Sequence, residues 1–103
     1  MSETRYRKKP VEVEAIEYTG DFVVIQEWCR DQEPDEHRAF FFPVDEEDCV
    51  DDPEIVAEVY DKLHSTWVGV KLGQWIIHGI QGEFYPCDAD VFAETYESVE
   101  ASA

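Results

Sequence analysis

The sequence predicts an α+β protein in which two helices cover one face of a curved antiparallel sheet of about five strands. Several segments alternate apolar and polar residues with a period of two, which is typical of half-buried strands. Two other segments repeat apolar residues at the i, i+3 and i+4 spacing of amphipathic helices. Glycines and prolines separate these segments. A partly open small barrel is the alternative arrangement.

The first strand and the first helix are predicted between Pro10 and Pro34. Residues 11–15 alternate apolar and acidic side chains, with a bulge near Ala15. Asp21 follows a Thr-Gly turn and is expected to cap the helix through its carboxylate. The apolar stripe expected to be buried consists of Phe22, Val24, Ile25, Trp28 and Cys29. The side chains expected to face water are Gln26, Glu27 and Arg30.

The second half of the chain predicts further strands and a closing helix. Residues 39–42 are an aromatic run that favours a strand ended by Pro43, and an acidic loop follows over 44–53. Residues 54–63 fit a hairpin with 66–70, although a helix over the same residues fits their spacing as well. Residues 66–70, 74–78 and 83–85 predict an antiparallel meander, with a tight turn between Gly79 and Gly82. Asp88 is expected to cap a helix through Val91, Phe92 and Tyr96.

Length and composition predict one folded domain over residues 1–103. The chain is 44% hydrophobic despite a formal net charge of −17, and it contains no apolar stretch of about 20 residues that would span a membrane. The ends are interpreted as a basic arm over 1–9 and a frayed tail over 100–103. Three cysteines at wide spacing, Cys29, Cys49 and Cys87, favour a reducing cytoplasm over a disulfide framework.

The acidic residues are concentrated in the middle of the chain, and the densest part comprises Asp45, Glu46, Glu47, Asp48, Asp51 and Asp52. So negative a surface repels the phosphates of nucleic acids and of membranes, which disfavours direct nucleic-acid binding. Two interpretations of the acidity stay open. It can imitate a nucleic acid and so inhibit a nucleic-acid-binding protein, or it can serve solubility alone.

Few residues point to catalysis or to a cofactor. The histidines and cysteines form none of the close pairs that ligate metals, and no phosphate-binding glycine loop is present. Cys87 is the one candidate nucleophile, but Asp88 and Asp90 beside it disfavour a thiolate. His78 has no catalytic partner in the sequence. We therefore expect a protein that is not an enzyme and holds no cofactor.

Two stretches carry a family resemblance: Tyr6-Arg7-Lys8-Lys9-Pro10-Val11 near the beginning and Gly73-Gln74-Trp75-Ile76-Ile77-His78-Gly79-Ile80-Gln81-Gly82-Glu83-Phe84-Tyr85-Pro86-Cys87 near the end. They resemble a widespread family of small bacteriophage proteins with a YRKKPV-type start and a GxWIIxGxxGEFYPC-type ending. Residues 60–68 look most like members from phages of actinobacteria. The resemblance implies an accessory protein made in the host cytoplasm, with no catalytic residue to carry over.

The expected function is binding to a host or phage protein, through the surface formed by residues 73–87 and the acidic loop. The candidate contact residues are Asp45, Glu46, Glu47, Asp48, Asp51, Asp52, Trp75, His78, Glu83 and Tyr85. The alternative is a sponge for a nucleotide-like defence signal, whose phosphate would meet Arg5, Arg7, Lys8 or Lys9. A homodimer formed by sheet extension beside Trp67 or Trp75 is compatible with the same pattern.

Overall fold

The computed structural model describes residues 12–36, 39–45 and 52–97. Within these ranges the chain forms six strands and two helices in α+β order, which confirms the fold class. The elements are β1 (Glu14–Glu17), α1 (Phe22–Gln32), β2 (Phe41–Pro43), β3 (Ile55–Asp61), β4 (Thr66–Lys71), β5 (Trp75–His78), β6 (Phe84–Cys87) and α2 (Ala89–Thr95). In the same ranges, no helix is long and apolar enough to cross a membrane.

The strands form two antiparallel three-stranded sheets, with strand orders β1-β5-β6 and β2-β3-β4. The expectation of one curved sheet of about five strands is therefore wrong. The predicted meander breaks between β4 and β5, because each of these strands belongs to a different sheet. The core lies where the two sheets and α1 meet.

The chain leaves one sheet for the other at Gly73. The Gly73 amide donates to the carbonyl of Tyr18, and the Tyr18 amide donates to the carbonyl of Gln74, so β5 begins its pairing with β1 instead of β4. The Gln74 side chain accepts a 2.8 Å hydrogen bond from the Lys71 amide and so closes the end of β4. Gly73 has φ +88°, a conformation that favours glycine.

Residues 54–63, for which strand and helix both remained open, contain β3. The strand pairs with β4 from Asp61↔Thr66 to Ala57↔Val70, and the register then shifts by one residue, so that Val56 forms a bulge. Ala57 and Val59 face the core and are fully buried. The hairpin expected from the period-two alternation is confirmed.

Helix α1 begins and ends where the sequence predicts. The Asp21 carboxylate accepts hydrogen bonds from the amides of Val23 and Val24, at 3.1 and 3.3 Å. The expected buried stripe is only partly correct, because Ile25 and Cys29 are buried, whereas Phe22 and Val24 in the first turn are exposed, as is Val23. Gln26 is half-buried instead of facing water, and its side-chain Nε2 donates to the Phe41 carbonyl at 2.8 Å.

The core is aromatic at its centre. Phe84 lies between Phe40 and Trp28, with ring centroids at 5.0 and 5.7 Å, and Tyr18 meets Phe41 edge-on at 5.2 Å. Rings of this size bury enough apolar surface for a small domain to fold, and their tilted and edge-to-face contacts add to the stability that burial provides.

Helix α2 lies against the β1–β5–β6 sheet. Asp88 occupies its N-cap position, but the expected side-chain cap is absent, and the Asp88 carboxylate instead accepts a 2.7 Å hydrogen bond from the side-chain Nε2 of Gln74. The helix is held by the stack of Phe92 on Trp75, whose ring centroids are 4.3 Å apart.

Candidate functional site

The outer face of the β2–β3–β4 sheet carries a cluster of aromatic side chains. Phe42 and Trp67 are exposed by 46% and 37%. The Trp67 ring lies 5.6 Å from that of Phe42 and 5.3 Å from that of Tyr60. An exposed aromatic cluster of this kind is typical of interaction surfaces in soluble proteins. We call Phe42, Glu58, Tyr60 and Trp67 the aromatic face.

Glu58 places a carboxylate within the aromatic face. It is the cross-strand partner of Phe42 on one side and of Gly69 on the other, so its side chain shares the outer face with the rings. No ion pair joins Glu58 to Lys62, Lys71 or any other base in the part of the chain that the structure describes. Aromatic faces beside a carboxylate form a suitable site for the side chain of an arginine or a lysine.

The aromatic face was not predicted from the sequence, where Trp67 was named only beside a sheet edge that could form a homodimer and no role was assigned to Phe42, Glu58 or Tyr60. It could have been predicted by asking which of the alternating residues in β3 and β4 face away from the core. Ala57 and Val59 are inward residues, so Glu58 and Tyr60 point outward together with their partners Gly69 and Trp67. Phe42 is added by β2, whose pairing with β3 could not be deduced from local sequence.

A second cluster of polar side chains lies where the end of α1, the β3–β4 turn and the β5–β6 hairpin meet. We call Glu33, Lys62, His78 and Glu83 the charged cluster. The Glu33 carboxylate forms an ion pair with Lys62 through one oxygen and lies 3.1 Å from Nε2 of His78 through the other. These contacts join segments that are 29 and 45 residues apart in the sequence.

The electrostatics of the charged cluster favour the ionised forms of its central pair. Burial raises the pKa of Glu33, but hydrogen bonds and charges from Lys62 and His78 outweigh it and lower that pKa below its ordinary value. The hydrogen bond to Glu33 raises the pKa of Lys62. Gly82, at φ +83°, leaves room for this pair, since a Cβ there would come within 3.0 Å of the Lys62 ammonium.

Glu83 completes the charged cluster with a buried carboxylate. Its residue is 8% exposed, and its Oε2 atom is buried without a hydrogen-bond partner among the described residues. The side chain lies directly over Gly79, where a Cβ would collide with the carboxylate. The nearby charge of Lys62, whose pKa Glu83 helps to raise, offsets part of the cost of burying this oxygen.

The four predicted contact residues on β5, β6 and their hairpin turn do not share one surface. His78 and Glu83 belong to the charged cluster, and the His78 ring stacks on Phe84 at 4.9 Å. Trp75 and Tyr85 lie on the opposite face of the β1–β5–β6 sheet, under α2. There the hydroxyl of Tyr85 lies 3.4 Å from that of Tyr96.

The predicted acidic surface is described at two positions. Asp45 is exposed just after β2. Asp52 pairs with Lys71 at 3.3 Å and accepts a 3.0 Å hydrogen bond from the Glu54 amide. The other acidic candidates, Glu46, Glu47, Asp48 and Asp51, lie outside the described residues, as do the proposed anion contacts Arg5, Arg7, Lys8 and Lys9.

The environment of Cys87 disfavours a thiolate. Burial raises its pKa, and the charges of Asp88 and Asp90 raise it further. The thiol lies 3.6 Å from the carbonyl of Asp88. Cys29 is buried in the core, and burial raises its pKa to about 12. Both cysteines are free thiols.

Comparisons of the chain with models of protein families, with curated proteins and with solved structures find no match.

Proposed function

We propose that the protein is a non-enzymatic binding module whose aromatic face binds a positively charged segment of a host or phage protein. The observation that carries this proposal is the contact of the exposed Trp67 ring with Phe42 and Tyr60, on the same outer face as Glu58, the cross-strand partner of Phe42. Aromatic residues packed at the centre of a patch supply most of the binding energy in many interfaces.

The charge of the chain supports a basic partner. Acids outnumber bases by 25 to 8, and the net charge is −17. Both lysines of the described β3–β4 region, Lys62 and Lys71, are already paired with carboxylates. A negative field around an aromatic centre attracts a basic surface and speeds its association.

The resemblance of the two ends of the chain to small phage proteins supports the rest of the proposal. It favours an accessory role, with the partner met in the host cytoplasm. Nucleic-acid mimicry is a special case of the same idea, in which the partner is a nucleic-acid-binding protein and the negative field occupies its basic groove.

The first test is capture of partners from host lysate by four tagged proteins: the wild type, Trp67→Ala, Glu58→Lys and Val91→Ala. Val91 is the matched control, because it is a 48% exposed apolar side chain on α2, outside the aromatic face. We expect a partner that the wild type and Val91→Ala retain, that Trp67→Ala and Glu58→Lys lose, and that salt releases. A partner held equally by all four proteins would contradict the proposal.

A further inference from the structure

The two sheets present four edge strands, β1, β2, β4 and β6. An edge strand exposes backbone amides and carbonyls that can pair with another chain, and proteins usually block such edges with prolines, charges or covering side chains. The hydrogen bonds of the described residues show which backbone groups point outward at each edge.

Three of the four edges are blocked in one of these ways. At β2 the outward carbonyl of Phe41 accepts from Gln26, and Pro43 has no amide hydrogen. At β6 the Gly79 amide donates to the Glu83 carbonyl, and hydrogen-bonded pairs alternate along the two strands, so the backbone nitrogen of Pro86 points away from β5. Proline has no amide hydrogen to offer there. At β1 the exposed carboxylates Glu14 and Glu17 flank the edge.

The β4 edge is different. The Tyr60 amide donates to the Phe40 carbonyl at 2.8 Å, so the backbone groups of Tyr60 point toward β2. Tyr60 and its partner Trp67 on β4 therefore form a pair without backbone hydrogen bonds between them. The amides and carbonyls of Trp67 and, two residues on, of Gly69 therefore point away from β3. Within the described ranges they meet only the Thr66 hydroxyl, 3.4 Å from the Trp67 carbonyl.

Lys71 is the next residue whose backbone groups point away from β3, and both of these groups already have hydrogen-bond partners. Its amide donates to the Gln74 side chain at 2.8 Å, and its carbonyl accepts from the Gln74 amide at 3.2 Å. The open part of the β4 edge is thus two residues, Trp67 and Gly69. It lies directly beside the aromatic face, because Trp67 belongs to both.

We propose that the β4 edge accepts an extended basic segment of the partner as a fourth strand of the β2–β3–β4 sheet. This inference rests on the proposed function and specifies how the partner binds. Antiparallel pairing would place two partner residues opposite Trp67 and Gly69, with side chains on the outer face. An arginine opposite Gly69 would lie over Ile55, whose side chain covers that glycine, and would extend toward Glu58.

Charge decides between a partner of this kind and a second copy of the chain. A second copy would bring a further net charge of −17 to the same edge. An arginine-rich strand instead meets the carboxylate of Glu58 and the rings of the aromatic face, and its backbone completes the open hydrogen bonds.

The test uses a synthetic seven-residue peptide that alternates valine and arginine, with blocked ends. Two further peptides carry N-methyl groups, one on the arginine amides and one on the valine amides. In the proposed pairing the arginine amides donate to β4 and the valine amides point away, so the second methylated peptide is the matched control. Binding to the full chain is measured by NMR titration together with amide hydrogen exchange.

We expect the parent peptide to slow exchange of the Trp67 and Gly69 amides, and we expect methylated arginines to weaken binding about tenfold or more. Methylated valines should leave the affinity within about twofold of the parent. Equal binding of all three peptides with unchanged Trp67 and Gly69 exchange would overturn strand addition. If Trp67→Ala and Glu58→Lys still weakened that binding, the proposed function would stand.

Two other outcomes are decisive. Protection of the Trp67 and Gly69 amides that is present without peptide and lost on dilution would assign the edge to a second copy, and would overturn the inference. A parent peptide that leaves every resonance unchanged at millimolar concentration would contradict both the inference and the proposed function.

Discussion

Glu33 shows how a single carboxylate joins three segments of the chain. It is the C-cap residue of α1, and its two oxygens reach Lys62 in the β3–β4 turn and His78 at the end of β5. Its side chain is 18% exposed, so solvent screens these interactions only partly. Because the folded state lowers the pKa of Glu33, its contribution to stability depends on pH.

The change Glu33→Gln is expected to lower the free energy of unfolding at pH 7 by about 1–2 kcal/mol, since charge-assisted hydrogen bonds are lost. The stabilisation from Glu33 is fully present above the ordinary glutamate pKa of about 4.3 and is lost as the pH falls through the lower, folded-state pKa. Urea unfolding of both proteins between pH 7 and pH 3 should therefore show a difference that shrinks with acid.

Glu36→Gln is the control for this prediction. Glu36 lies 3.8 Å from Lys62 with a side chain 44% exposed, so its loss should change stability by less than about 0.5 kcal/mol. A Glu33→Gln effect that stayed constant down to pH 3 would show that the carboxylate charge is not the cause.

At the residue scale the sequence predicts local contacts better than distant ones, although only one of the two expected helix caps, that of Asp21, is present. The capping of α1 by Asp21 involves amides two and three residues away, and it is confirmed. The pairing of Glu33 with Lys62 depends on how the turn after β3 meets the end of α1. No local pattern contains that information, so the charged cluster could not be predicted beyond naming His78 and Glu83.

At the scale of elements, α2 is the part of the described fold that depends on the fewest contacts. None of its residues is buried, and its contact with the sheet rests on Phe92 against Trp75 and on Tyr96 near Tyr85. A helix of seven residues has little stability of its own in water. Its order therefore follows from docking.

Phe92→Ala is expected to raise the hydrogen-exchange rate of the α2 amides by about tenfold or more, because local opening of the helix becomes easier. The indole NMR signal of Trp75 should shift as its ring partner is lost, whereas protection in β3 should stay within about twofold of the wild type. Val91→Ala on the same helix is the control and should change neither readout, since Val91 is 48% exposed. Equal loss of protection in β3 would show that α2 unfolds only with the whole domain.

The elements themselves were largely predictable, but their assembly was not. Period-two alternation located β3, and extended runs bounded by turn residues located β4 and β5. Apolar residues at the i, i+3 and i+4 spacing located both helices, because that spacing reflects one buried face. The choice between one sheet and two depended on Tyr18, which pairs with Gln74 and so draws β5 to β1. That contact spans more than fifty residues, and the short spacing of β4 and β5 favoured the wrong alternative.

At the scale of the whole molecule, charge opposes folding. A net charge of −17 on 103 residues produces self-repulsion in the compact state, and the acids lie on both sheets and both helices. Salt screens this repulsion, since the Debye length falls from about 10 Å at 0.1 M to about 3 Å at 1 M.

The melting temperature is accordingly expected to rise by about 5 °C between 0.1 and 1 M sodium chloride, which corresponds to about 1 kcal/mol for a domain of this size. Calorimetry measures the rise. A variant in which the exposed acids Glu27, Asp90 and Glu94 are changed to amides should show a smaller one, because it carries less charge. A melting temperature independent of salt in both proteins would show that self-repulsion costs the fold little.

The distribution of blocked edges also limits how the protein can assemble. Fibres of β-proteins grow when each added subunit presents a fresh edge for the next one, as happens with head-to-tail interfaces that do not close. Here a strand that joins β4 extends a sheet whose far side is β2, where Gln26 covers one carbonyl and Pro43 lacks an amide hydrogen. A head-to-tail chain, in which β4 of one copy pairs with β2 of the next, is therefore disfavoured, so high expression should give discrete complexes instead of polymers.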